Sequence, residues 1–211
     1  MTGMTMHPQT WHGAAAGYLG MWMAMMVPMM LPSLVPVLSR YRRSVREVDG
    51  VRACGLTALV GVGYFVVWAV LGTAAYAAGA GIMAVEMRWG EAAQWLPAAS
   101  GMVLLVAGAV QFTPWKARQL ALCRRKSEDG RPFATAASGA WRHGLELGVR
   151  CSRSCGSLML ALLAIGMMDL AAMAAVTLAI TAERLAPAPL RVARMAGAAI
   201  VVVGVLTIAR V

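Results

Sequence analysis

The chain has 211 residues, of which 60% are hydrophobic and 13% charged, with a net charge of +10. Soluble domains are about 45–50% apolar and about 25% charged, so this composition excludes disorder, a disulfide mini-protein and nearly every soluble enzyme fold. It leaves a small integral membrane protein, a conclusion that the mean hydropathy of +0.67 supports.

No charged residue precedes Arg40. The apolar stretch 14–38 exceeds the length of a signal-peptide core and lacks a basic leader, so it is expected to be the first transmembrane helix. Pro28, Pro32 and Pro36 each remove an amide donor, which predicts a kinked or unwound second half. A basic loop over 39–53 follows, then an uncharged, glycine-rich span over 55–82. A third span covers 95–113 and stops before Pro114. The polar stretch 114–153 reads as a second basic loop. A fourth span covers 154–182, with Asp169 as its one charge, and a shorter fifth covers 193–209.

The expected architecture is therefore all-α: one integral membrane domain over 1–211, a polytopic bundle of about five spans. The loops after the first and third spans hold fourteen basic residues, whereas the N-terminal tail and the loops after the second and fourth spans hold four. The positive-inside rule places the fourteen in the cytoplasm of a bacterial-type inner membrane, with the N-terminus outside and the C-terminus inside. Because the basic residues alternate with long uncharged runs, no nucleic-acid partner is expected. Hydrolase, phosphate-loop and paired-carboxylate motifs are absent from the sequence, so the chain is not expected to be an enzyme.

Candidate chemistry is soft. Nine of the 17 methionines fall in the first 30 residues. Met21, Met25 and Met29 recur at helical spacing, with Met26 and Met30 beside them, and His7 and His12 lie upstream. Thioethers are neutral ligands that suit Cu(I), although a methionine stripe also serves as flexible packing. On the fourth span, Cys151, Cys155, Met159, Gly166, Asp169 and Met173 fall on one stripe about 80° wide at about 100° per residue. An acid near mid-bilayer marks a functional interior. Cys123, at the edge of the second basic loop, is expected near the level of Cys151 and Cys155, with His143 as a further candidate. Cys54 has no evident partner.

Several of these residues fall in blocks that resemble a known family, the predicted metal-binding integral membrane proteins (domain of unknown function 2182). The blocks are Trp22 with Ala24-Met25-Met26-Val27-Pro28; Gln111, Thr113, Pro114, Lys116 and Cys123-Arg124; and Gly139-Ala140, Gly144, Gly148, Cys151, Cys155, Leu158-Met159, Gly166-Met167, Leu170, Met173 and Glu183. This chain departs from the family pattern at Gln119, Leu147, Ser154, Gly156 and Asp169, where Cys, His, Cys, Trp and Asn are usual. The resemblance implies a helical membrane fold, metal binding and a small soluble metal-handling partner. Together these features predict a binder or conduit for a soft ion such as copper, embedded in the lipid bilayer and able to oligomerise. The competing expectation is a non-catalytic accessory subunit of a membrane complex.

Overall fold

A computed structural model describes residues 11–45, 49–88, 95–128, 136–166 and 169–210, leaving aside the side chains of Trp11, His12, Glu86 and residues 123–128. Seven helices and no strand occur among the described residues: α1 (Trp11–Ser44), α2 (Gly50–Arg88), α3 (Leu96–Val110), α4 (Pro114–Glu128), α5 (Ala137–Ile165), α6 (Leu170–Leu185) and α7 (Pro189–Ala209). The protein is a polytopic helix bundle. α1, α2, α5 and α7 are each long and apolar enough to cross a membrane, and α3 with the start of α4, bent by 63°, makes a fifth candidate.

α1 stays helical through all three prolines, so the expected unwinding does not occur. The reason lies in where the rings sit. Pro28 and Pro32 are on the exposed side, while Met26, Met29, Met30 and Leu34 on the other side are buried. Ser33 and Ser39 donate to the carbonyls of Met30 and Pro36 at 2.9 Å, which gives this stretch local polar contacts within its own helix.

α2 and α5 run parallel and meet through glycines. A Cβ on Gly63 would lie 2.9 Å from the Trp141 carbonyl oxygen, and one on Gly148 would lie 2.9 Å from that of Tyr64. α3 and α7 use the same device in antiparallel register. Gly101 faces Gly204 and Ile208, and Gly108 faces Gly197 and Val201. With no water between helices in lipid, such close approach supplies the packing energy. α1 lies antiparallel to α2, with Tyr18 against Tyr76 at one end and Tyr41 clustered with Ala53 and Leu56 at the other.

Two expectations are corrected here. The loop 114–153 is largely helical, because it contains α4 and the first half of α5. The single span over 154–182 is in fact two helices. Gly166 has φ of +125°, a conformation that disfavours any side chain, and it ends α5. Asp169 then begins α6 as its N-cap, accepting from the amides of Ala171 and Ala172 at 2.8 and 3.1 Å. α5 and α6 therefore form an antiparallel hairpin, in which Ser154 and Glu183 come level with each other at one ammonium group.

The hairpin reverses the direction expected for the rest of the chain. α7 starts near the level of Lys116 and, antiparallel to α3, ends beside Gly101. That is the end of the bundle where α1 begins. Arg184, Arg191 and Arg194 join the basic end of the bundle, while Arg88 and Arg210 sit at the other. Cysteines introduced as Gly13→Cys and Arg210→Cys should be labelled from the same side of sealed vesicles by an impermeant maleimide. Labelling from opposite sides would contradict the hairpin.

Candidate metal centre

The seam between α1, α2 and α5 is lined with sulfur. Met26 and Met30 of α1 are fully buried, as are Cys151 and Cys155 of α5, and Met29 and Met159 belong to the same core. Helical spacing explains the grouping, since residues four apart stack on one face. Three sulfurs converge closely. Cys151 Sγ lies 3.8 Å from Met30 Sδ and 3.8 Å from Cys155 Sγ. Both cysteines are free thiols.

Two further contacts fix these sulfurs. The Tyr64 hydroxyl donates to Cys151 Sγ at 2.9 Å, because the Gly63, Gly144 and Gly148 contacts bring α2 against α5. The Cys155 thiol donates to the carbonyl of Cys151 at 2.9 Å. An ion about 2.3 Å from each of two sulfurs, at an angle of about 120°, holds them about 4 Å apart. The two spacings observed, Met30–Cys151 and Cys151–Cys155, therefore each suit a soft ion bridging Cys151 and its neighbour. No group of three or more His, Cys, Asp and Glu side chains able to hold an ion occurs among the described residues, so the site depends on the thioether as its third donor.

A charged layer lies on the neighbouring face of α5. Lys116 is fully buried, and its ammonium makes a 2.7 Å ion pair with Glu183 and a 2.5 Å hydrogen bond to the Ser154 carbonyl. Arg184 donates to Ser154 Oγ at 3.2 Å, and that hydroxyl donates in turn to the Cys151 carbonyl. Gln111, also buried, approaches the Glu183 carboxylate without reaching hydrogen-bond geometry. Ser154 thus links the sulfur site and the ion pair through the backbone of one helical turn.

The residues expected from sequence divide clearly. Met26, Met29, Met30, Cys151, Cys155 and Met159 come together in the core, with Met25 and Met173 partly buried against it. Met21 is 42% exposed. Asp169 is exposed and serves as a helix cap, so the continuous stripe from Cys151 to Met173 does not form. His7 lies outside the described residues, as do the side chains of His12 and Cys123. His143 stacks on Tyr41 at 5.8 Å, away from the sulfurs. Tyr64 and the pairing of Lys116 with Glu183 are additions from the structure. Nothing in the sequence marks Tyr64, whereas a lone acid in an apolar helix and a lysine following a span did offer a signal.

Fold and site together define a polytopic helix bundle with a sulfur-lined interior. The chain belongs to the PpoB2 copper chaperone family, whose model matches residues 19–207 and so includes every residue of this site. A metal-related family, expected from the sequence blocks, is therefore shown. No curated protein and no solved structure matches the chain.

Breaking a buried ion pair from one side costs about 3–5 kcal/mol, whereas apolar replacement of both partners is often neutral. Lys116→Met should therefore lower the unfolding free energy in detergent by about that much. The double variant Lys116→Met/Glu183→Met should unfold close to wild type. Equal losses in both variants would show that the pair is not the relevant contact.

Proposed function

We propose that this protein is a non-catalytic, membrane-embedded copper handler that holds Cu(I) between Met30, Cys151 and Cys155. The observation that carries this reading is the pair of 3.8 Å contacts from Cys151 Sγ to Met30 Sδ and to Cys155 Sγ in a buried seam, with Tyr64 positioning the central sulfur. Membership of a copper chaperone family supports it. Soft donors favour a soft monovalent ion over Mg(II) or Ca(II), which prefer oxygen. Thiols must lose their protons to bind, and the neutral thioether completes the set without adding charge.

Met25, Met26 and Met29 extend the soft lining along α1 towards its start. They offer lower-charge stations from which an ion reaches the two cysteines, with His7 and His12 further upstream along the chain. In this reading the basic end of the bundle faces the cytoplasm of a bacterial-type membrane. Delivery ends at a small soluble metal-handling partner.

The test is copper content of the purified protein after anaerobic loading with Cu(I). Wild type should retain about one equivalent per chain. Cys151→Ser/Cys155→Ser should lose it, and Met30→Leu should weaken retention about tenfold or more. Met102→Leu, on an exposed face of α3, should behave as wild type. Equal copper in wild type and the double serine variant would refute the assignment.

A further inference from the structure

The two sulfur contacts share one atom. Cys151 Sγ touches Met30 Sδ on α1 and Cys155 Sγ on its own helix, each at 3.8 Å. The two neighbours differ in chemistry. Met30 offers a neutral thioether and ends a short buried row that includes Met26 one turn earlier. A thioether binds without losing a proton. Cys155 offers a thiol that donates to the Cys151 carbonyl at 2.9 Å. That proton must leave before its sulfur can bind.

The shared sulfur is also the one that a second helix holds. The Tyr64 hydroxyl of α2 donates to it at 2.9 Å. Packing fixes that hydroxyl. The Tyr64 side chain is buried and meets Phe65 edge-on at 5.2 Å, and Gly63 before it lies against the Trp141 carbonyl. A hydroxyl that donates to an anion makes a bond about twice as strong as one to a neutral group. Tyr64 therefore favours Cys151 in its metal-bound, thiolate form, whichever neighbour supplies the next sulfur.

We propose that Cys151 is a pivot ligand, shared by a receiving pair with Met30 and a holding pair with Cys155, and that Tyr64 is the positioning residue that keeps the pivot in place. This rests on the metal-site reading above. Receipt forms bonds from Cu(I) to Met30 Sδ and Cys151 Sγ, and the Cys151 thiol proton leaves to solvent. Transfer forms the bond to Cys155 Sγ, whose proton also leaves to solvent, and then breaks the bond to Met30. All three sulfurs hold the ion between the two steps. No electron moves, so the ion remains Cu(I) and no oxidant or reductant is needed. The ion passes from the methionine row of α1 to the cysteines of α5 without ever leaving Cys151.

The experiment loads the full-length protein in detergent with Cu(I) under anaerobic conditions and measures copper affinity, with sulfur coordination read by X-ray absorption. Cys155→Ser should keep copper on the receiving pair and Met30→Leu on the holding pair, each more weakly than wild type and each with two sulfur ligands. Cys151→Ser should lose copper, although it removes no more sulfur than either neighbour does. Tyr64→Phe should lower affinity about tenfold to a hundredfold. The loss should appear in the Met30→Leu and Cys155→Ser backgrounds alike, because Tyr64 acts on the sulfur that both pairs use. Tyr64→Phe should also shift the sulfur-to-copper charge-transfer absorption, which a role in packing alone would leave in place. Equal losses in Met30→Leu, Cys151→Ser and Cys155→Ser would overturn the pivot and leave the three-sulfur site intact. An effect of Tyr64→Phe confined to one background, or no shift in the absorption, would overturn the role of Tyr64. If Cys151→Ser or Tyr64→Phe does not fold, the two neighbour variants decide: two sulfurs in each supports the pivot, and loss of copper from either overturns it. Failure of wild type to bind Cu(I) would overturn both the pivot and the metal site.

Discussion

The close approach of α2 to α5 is the constraint on which the rest depends. At Gly63, Gly144 and Gly148 the two backbones come so near that a methyl group at any of the three would strike a carbonyl oxygen of the facing helix. In lipid no hydrophobic force pulls helices together, so contact of this kind must come from shape. Its position matters as much as its strength. Tyr64 follows Gly63 directly, and Cys151 lies less than one turn beyond Gly148. Locking the glycines therefore delivers the hydroxyl to the thiol. α1 then closes the third side, with Trp22 donating to the Trp68 carbonyl at 3.0 Å and Met30 placed two turns further along.

The second balance is electrostatic. A lysine and a glutamate removed from lipid and water alike survive only as a pair with further donors and acceptors around them. The Ser154 carbonyl supplies one of these, although it already belongs to a helical turn. The cost of that arrangement ties α3–α4, α5 and α6 to a common level, and it is this level that fixes where α7 begins. The ion pair is thus a register device for the second half of the chain, just as the glycine contact is for the first.

Much of the fold was legible in the sequence, because uncharged runs about 20 residues long admit few readings. The sulfur site was legible in part. Spacing placed Met26 and Met30 in one row beside that of Met21, Met25 and Met29, and Cys151 and Cys155 on one face, but spacing cannot show that the two faces meet. The misreading at Asp169 had a physical cause. An acid in an apolar run looks like a buried ionisable group, and an N-cap following a glycine looks identical when periodicity is extended through the break. Gly166 was the signal, since a glycine three residues before an acid is also how one helix ends and another starts. Tyr64 was invisible because its role depends wholly on a neighbour 87 positions away.

The lengths of α3 and α6 carry a consequence for the surrounding lipid. With 15 and 16 residues, they rise about 22 and 24 Å at about 1.5 Å per residue, against a hydrocarbon layer of about 30 Å. Where α6 meets lipid along its own length, acyl chains must compress or headgroups dip to match its height, whereas α3 is continued by the start of α4 in a bent pair. Lys116 and Glu183 lie at the ends of short helices, the third residue of α4 and the third from last of α6.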